Sequence, residues 1–141
     1  MIVLDTNIIS EFMRPAPDRG VAAWFAAQDP LDLSTTSITV AEIQRGILRL
    51  PDGKRRKDLQ TRFSAFIDDA FPDRLLAFDK AAAYACGEAS AARERQGLHA
   101  DAVDMMIAGV AKSAQATLAT RNLSDFSDCG IALINPWRPN D

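Results

Sequence analysis

The chain is expected to fold as an α/β protein, with a parallel sheet covered by helices on both faces. Short, apolar, β-branched segments recur along the 141 residues. Each is followed by a longer segment whose apolar residues recur at helical spacing. Turn formers separate the two kinds of segment. Strands that alternate with helices build parallel sheets, because parallel neighbours need a long crossover connection.

The elements follow in order. Met1–Leu4 reads as a buried strand ended by Asp5-Thr6-Asn7. Ile8–Met13 begins a short helix that Arg14-Pro15-Ala16-Pro17 stops. Val21–Gln28 is helical, with Val21, Trp24 and Phe25 on one face. Leu31–Thr35 is a second strand, and Thr36–Leu50 a helix with Val40, Ile43, Ile47 and Leu50 at helical spacing. Pro51-Asp52-Gly53 breaks the chain before the helix Lys54–Ala70, whose apolar face holds Leu59, Phe63, Phe66 and Ile67. After Pro72-Asp73, Leu75–Phe78 is a short strand. Lys80–Gln96 is an Ala-rich helix ended by Gly97, a normal residue past a helix C-terminus. Ala102–Ser113 is a helix with Val103, Met106, Ile107, Val110 and Ala114 on its buried side. Thr117–Thr120 is a strand, Arg121–Phe126 a loop and Ile131–Ile134 a last strand, with Pro136 and Pro139 closing the chain.

Size and composition set bounds. The length suits one domain, residues 1–141, and no stretch reads as an interdomain linker. An apolar fraction of 48% and a charged fraction of 25% are ordinary for a globular protein. The net charge of −3 does not suit general coating of nucleic acid, so binding one would need a local basic patch or a metal. Cys86 and Cys129 form no metal-type pair and read as reduced core thiols. Asp5 interrupts the opening apolar run, and no signal peptide or membrane span is evident, so the expected compartment is the cytoplasm.

Three acids fit poorly in an ordinary core. Asp5 closes Met1-Ile2-Val3-Leu4, Glu42 lies in Thr39-Val40-Ala41-Glu42-Ile43, and Asp104 lies in Ala102-Val103-Asp104-Met105-Met106-Ile107. Each is a lone carboxylate in an apolar stretch, where an unpaired charge is costly. Ligands of open parallel sheets gather at the carboxyl ends of strands. Asp5 ends the first strand, Glu42 and Asp104 lie near helix starts, and Arg121-Asn122-Leu123-Ser124-Asp125 follows Thr117–Thr120. One rim therefore collects them all, and a divalent cation would resolve the conflict. A local role stays open for each. Asp5 can bond the turn backbone, Thr39-x-x-Glu42 matches a capping box, and Asp101 and Asp104 suit a helix start.

Carboxylate oxygens favour Mg²⁺ or Mn²⁺, and zinc would want histidine or thiolate. His99 is the only histidine and reads as a loop residue. Carboxylate-held Mg²⁺ suits phosphoryl chemistry. The run Lys54-Arg55-Arg56-Lys57, with Arg45, Arg49 and Arg62, either contacts a nucleic-acid backbone or forms a solvated helix face. Arg121 either binds a substrate phosphate or pairs with a neighbouring carboxylate. A phosphatase of the haloacid-dehalogenase kind is an alternative, but it needs a second Asp where Asn7 stands. A non-catalytic binding module is another.

Ile2-Val3-Leu4-Asp5-Thr6-Asn7-Ile8, Ala41-Glu42-Ile43, Val103-Asp104-Met105-Met106-Ile107-Ala108 and Ala119-Thr120-Arg121-Asn122-Leu123-Ser124-Asp125-Phe126, in this order and spacing, resemble the PIN-domain ribonucleases. The resemblance is closest to VapC toxins, including the FitB-like branch, and runs from Met1 to about Trp137. It implies a three-layer α/β/α sandwich with a four- or five-stranded parallel sheet, and Mg²⁺- or Mn²⁺-dependent endoribonuclease activity. It maps the family's acids onto Asp5, Glu42 and Asp104. The fourth acidic position falls at Asn122, which is neutral here, or at Asp125, and Asp101 is a further candidate. Asn7 and Thr120 resemble residues that orient ligands or water. The resemblance also implies an RNA substrate (tRNA or rRNA), a homodimer, and a small antitoxin with a DNA-binding N-terminal part. The complex would bind promoter DNA. Phe12, Trp24, Phe25, Phe63 and Phe66 then supply groove or dimer surface, or else core.

Overall fold

In the computed structural model, which describes residues 1–139, a three-residue strand, β1 (Ile2–Leu4), forms the centre of the sheet. The chain continues through α1 (Thr6–Phe12), α2 (Arg19–Ala26), β2 (Leu33–Thr36), α3 (Ser37–Leu48), α4 (Lys54–Ala70) and β3 (Leu75–Leu76). Then come α5 (Lys80–Arg95), α6 (Ala102–Ser113), β4 (Thr117–Ala119) and β5 (Leu133–Ile134). The sheet order is β3-β2-β1-β4-β5, with every pairing parallel.

Register assigns the faces. Val3 pairs with Leu118, and Leu118 with Leu133. These three point to the layer of α5 and α6, where Met105, Ile107, Ala108 and Phe126 complete a core. Leu4, Ala119 and Ile134 sit one residue later and point to the opposite face. There they meet Ile8 and Ile9 of α1, Trp24 of α2, Ile47 of α3 and Phe63 of α4. The expected three-layer α/β/α sandwich is therefore present, with five strands among the described residues. The five aromatic residues that fitted either surface or core belong to this second core. The Phe12 and Phe25 ring centroids are 4.8 Å apart, and those of Phe12 and Phe66 5.6 Å.

Several expected boundaries shift for local reasons. Thr36 ends β2 and caps α3, its Oγ1 accepting from the Thr39 amide at 3.0 Å. Pro30–Asp32 winds into a 3-10 turn, so β2 begins later than expected. The edge strands β3 and β5 keep only two residues each, because an edge strand is held from one side. On α6 the buried set differs from the expected one: Ile107 and Val110 are buried as expected, Met105, Ala108, Gly109 and Ala111 join them, and Val103, Met106 and Ala114 are only half-buried. That helix is covered by the sheet on one side and by α5 on the other. At Gly109 an added Cβ would lie 2.5 Å from the Ala82 carbonyl oxygen and 2.7 Å from the Cys86 amide. Gly97, with φ +73°, ends α5 as expected, and the Leu98 amide turns back to the Arg93 carbonyl.

Candidate active site

The chain runs from β1 outward to β2 and β3, then returns to the other side of β1 as β4. Connections leave β1 and β4 in opposite directions at this point, and a crevice opens between them. Asp5 lies at its floor. It caps α1 with extended backbone, and its Oδ1 accepts from the Thr6 amide at 2.8 Å. Its Oδ2 accepts from Thr120 Oγ1 at 2.8 Å and from Asn7 Nδ2 at 3.3 Å. Asn7 Oδ1 takes the Arg121 amide at 3.3 Å, and Thr120 Oγ1 takes the Asn122 amide at 3.0 Å. Asn7 and Thr120 thus fasten the start of α1 to the exit of β4, with Asp5 held between them.

Asp5 is only 4% exposed. Burial pushes its carboxyl above the ordinary range, and the Thr120 and Thr6 hydrogen bonds pull it back. Glu42 and Asp125 then push it up again by repulsion. The local turn bond expected of Asp5 exists, but the second oxygen faces Thr120 and Asn7.

Glu42 is not a capping residue. Thr36 caps α3, which leaves Thr39 inside the first turn, so the expected Thr39–Glu42 capping box does not form. The Glu42 carboxylate crosses instead to α1 and accepts from Thr6 Oγ1 at 2.6 Å. Asp101 caps α6, with Oδ2 accepting from the Asp104 amide at 3.0 Å. Its helix-start role is therefore the one observed. Asp104 is half-buried one turn into the crevice, and its carboxyl is pushed up to about 7. Desolvation is the main cause, followed by repulsion from Asp101, Asp5, Asp125 and Glu42. Four acids from four elements therefore act on one carboxyl group.

Asp5, Asn7, Glu42, Asp104, Arg121 and Asn122 line a single cleft of about 470 Å³. Asp125 lies outside that lining, on the 3-10 turn Leu123–Phe126, close enough to raise Asp5 and Asp104. The two candidates for the fourth position are thus arranged differently: Asn122 lines the cleft and Asp125 does not. Arg121 makes no ion pair among the described residues, so the expected carboxylate pairing is not seen. Its guanidinium lies 4.9 Å from the Trp137 ring centroid instead. Among the described residues no three acids are close enough to enclose one ion unaided. Thr6 holds Glu42 to one side, and the acids share a cleft without touching.

Several residues of this region carry no sequence signal for their role. Thr6 binds Glu42, and Glu11 is buried under Arg14, accepting from it at 2.9 Å. Arg93 is 5% exposed and donates to the carbonyls of His99, Ser124 and Ser127. It joins the loop before Asp101 to the turn that carries Asp125. An arginine near the end of an Ala-rich helix gives no hint of this, because its partners are backbone oxygens outside the helix.

Residues 2–130 match the family model for the PIN domain. The chain belongs to the PIN domain family. This PIN domain is 40% identical over 139 residues to the VapC ribonuclease Y4jK of Sinorhizobium fredii, covering 99% of both chains. It is 36% identical over 137 residues to Toxin FitB of Neisseria gonorrhoeae, covering 97% of this chain and 99% of that one. The crystal structure of FitAcB from Neisseria gonorrhoeae aligns with a TM-score of 0.90 at 36% identity, over 97% of this chain and 99% of that chain. A structure of FitAB bound to a DNA fragment aligns equally well, over 97% of this chain and 96% of that chain.

Proposed function

We propose that this PIN domain is an endoribonuclease toxin that hydrolyses RNA phosphodiester bonds with Mg²⁺ or Mn²⁺ and is neutralised by a cognate antitoxin. The carrying observation is that Asp5, Glu42 and Asp104, from three separate elements, line one cleft at the sheet's switch point. The ribonuclease and toxin names of the relatives agree with it.

The donor set fits the cation. The groups are hard oxygen donors, and Mg²⁺ is usually held by one or two carboxylates with water completing its sphere. A closed three-acid cage is not required. Asp5 and Asp104 would hold the ion, with Glu42 beside them and Asp125 or Asn122 in support. Such an ion, when bound, neutralises the phosphate and acidifies a water to attack it. The protein's own residues do the positioning. Thr6, Asn7 and Thr120 fix both oxygens of Asp5, so little motion is lost when it is loaded. Thr6 keeps Glu42 at the cleft edge. Arg121 lines the cleft without an ionic partner among the described residues, so its charge is available to a substrate phosphate.

The partners in this reading are an RNA substrate (tRNA or rRNA), an antitoxin with a DNA-binding N-terminal part, and a second copy of the chain. The cytoplasm is the compartment where these meet, and no described helix is long and apolar enough to cross a membrane. The deciding experiment is cleavage of total RNA with Mg²⁺, with Mn²⁺ and with chelator, beside Asp5→Asn. Metal-dependent cleavage that disappears in the variant is expected. A folded wild-type protein, free of inhibitor, that cuts nothing under any metal would overturn the proposal.

A further inference from the structure

The cleft does not end at Arg14. Ser10 and Arg14 also line a second, larger groove of about 680 Å³, between the end of α1 and the first turns of α4. Its other walls are Met13, Pro15 and Leu59, with Lys54, Arg55 and Arg62 above them. Arg55, Leu59 and Arg62 recur at helical spacing, so one face of α4 presents its charge to the groove. Among the described residues Asp58 is the only acid in the lining.

The charges are available. Lys54 and Arg55 are exposed and make no ion pair among the described residues. Arg62 donates to the Met13 carbonyl, which anchors it without neutralising it. Arg14 is paired with Glu11 and marks the junction of the two cavities.

We infer that this groove is the track along which single-stranded RNA leaves the cleft, its phosphates paired with Lys54, Arg55 and Arg62. The identity of the strand rests on the ribonuclease reading. Two points favour it. A cleft lined by Asp5, Glu42 and Asp104 repels a polyanion, so a substrate longer than the scissile linkage needs cations beside the cleft. The groove supplies them in direct continuation. A strand also carries phosphates spaced along its backbone, which suits a groove lined by Lys54, Arg55 and Arg62. The neighbouring cavity over Ile43, Gly46 and Ile47 also joins the cleft at Thr6 and Glu42, but no described residue lining it is a cation.

The test measures binding of a labelled single-stranded RNA of about twelve nucleotides to the full chain in chelator, at several salt concentrations. The variant is Lys54→Gln with Arg55→Gln, both at exposed positions. The control is Arg45→Gln with Arg49→Gln, in the same basic cluster but outside the groove. Losing two phosphate contacts should flatten the log–log salt slope by about 1.4 and weaken binding roughly 25-fold at about 0.1 M salt. The control should bind as wild type. With Mn²⁺, KM should rise while kcat holds. Unchanged RNA affinity in the groove variant overturns the track. So does loss of binding only to a glutamate-rich peptide, which would assign the groove to a protein partner. Wild-type protein that cuts no RNA while the groove variant still loses RNA binding would sink the nuclease reading and leave the track standing.

Discussion

Asp104 carries the charge that the cleft tolerates least. Its carboxyl ionises near 3.8 in an ordinary setting and at about 7 in the fold. Between those values the folded protein holds a proton that the unfolded chain has released. The contribution to stability is therefore fully present below pH 3.8 and is lost as pH rises toward 7. Thermal melts in chelator should show wild type losing stability relative to Asp104→Asn across that window, with the variant the more stable at pH 8. Parallel pH profiles for the two would show that neither burial nor the neighbouring acids hold the Asp104 carboxyl up. The same variant, and Asp5→Asn, should lose cleavage by at least about a hundredfold, as expected when a charge acting on the transition state is removed. The fourth position separates by geometry. Asn122 lines the cleft and Asp125 does not, so Asn122→Asp should tighten Mn²⁺ binding in titration calorimetry more than Asp125→Asn weakens it. An equal or larger effect of Asp125→Asn would give the position to Asp125.

At the scale of elements, two contacts set where the acids stand. Gly109 lets α6 approach α5 to a distance that no side chain permits. Gly109→Ala should therefore cost about 1–3 kcal/mol through overpacking. Gly87→Ala, in α5 with open space around it, should stabilise by about 0.5–1 kcal/mol through helix propensity. Denaturant melts that rank the two in the opposite order would refute the close approach. Arg93 is the second contact. Arg93→Met strips the carbonyls of His99, Ser124 and Ser127 of a buried, charged donor, a loss on the order of 2–3 kcal/mol. This level also shows what was legible in advance. Helix α4 and helix α6 were readable to the residue, because each combines long apolar periodicity with a clear start or stop signal. Strand ends were not, since β2 trades its first residues for a proline-led turn and the edge strands are held from one side only. Asp5, Glu42 and Asp104 were legible as charges in apolar runs. Thr6, Glu11 and Arg93 were not, because their roles depend on partners that only the fold brings near. The capping reading of Glu42 failed because the sequence offers two threonines, Thr36 and Thr39, and the end of β2 selects the first.

For the whole molecule, the site and the stability of the fold are linked. The switch point that gathers Asp5, Asp104, Glu42 and Asp125 also joins β1, β4 and the starts of α1 and α6. Repulsion among the acids acts directly on the seam that holds both halves of the sheet together. A ligand that binds the folded state alone adds stability by mass action, about 2.7 kcal/mol at a hundred times its Kd. For a chain of this size that corresponds to roughly 8–13 °C in Tm. Mn²⁺ at that saturation should raise Tm by this amount in wild type, and chelator should reverse it. Asp5→Asn combined with Asp104→Asn should be insensitive to Mn²⁺ and melt above chelated wild type, because neutral amides no longer repel across the seam. A double variant that keeps the full Mn²⁺ shift would place the ion elsewhere on the molecule. One that melts well below wild type would mean that the hydrogen bonds of Asp5 to Thr6 and Thr120 outweigh the repulsion. The carboxylates would then be structural first, with the cleft a consequence of how α1 is capped.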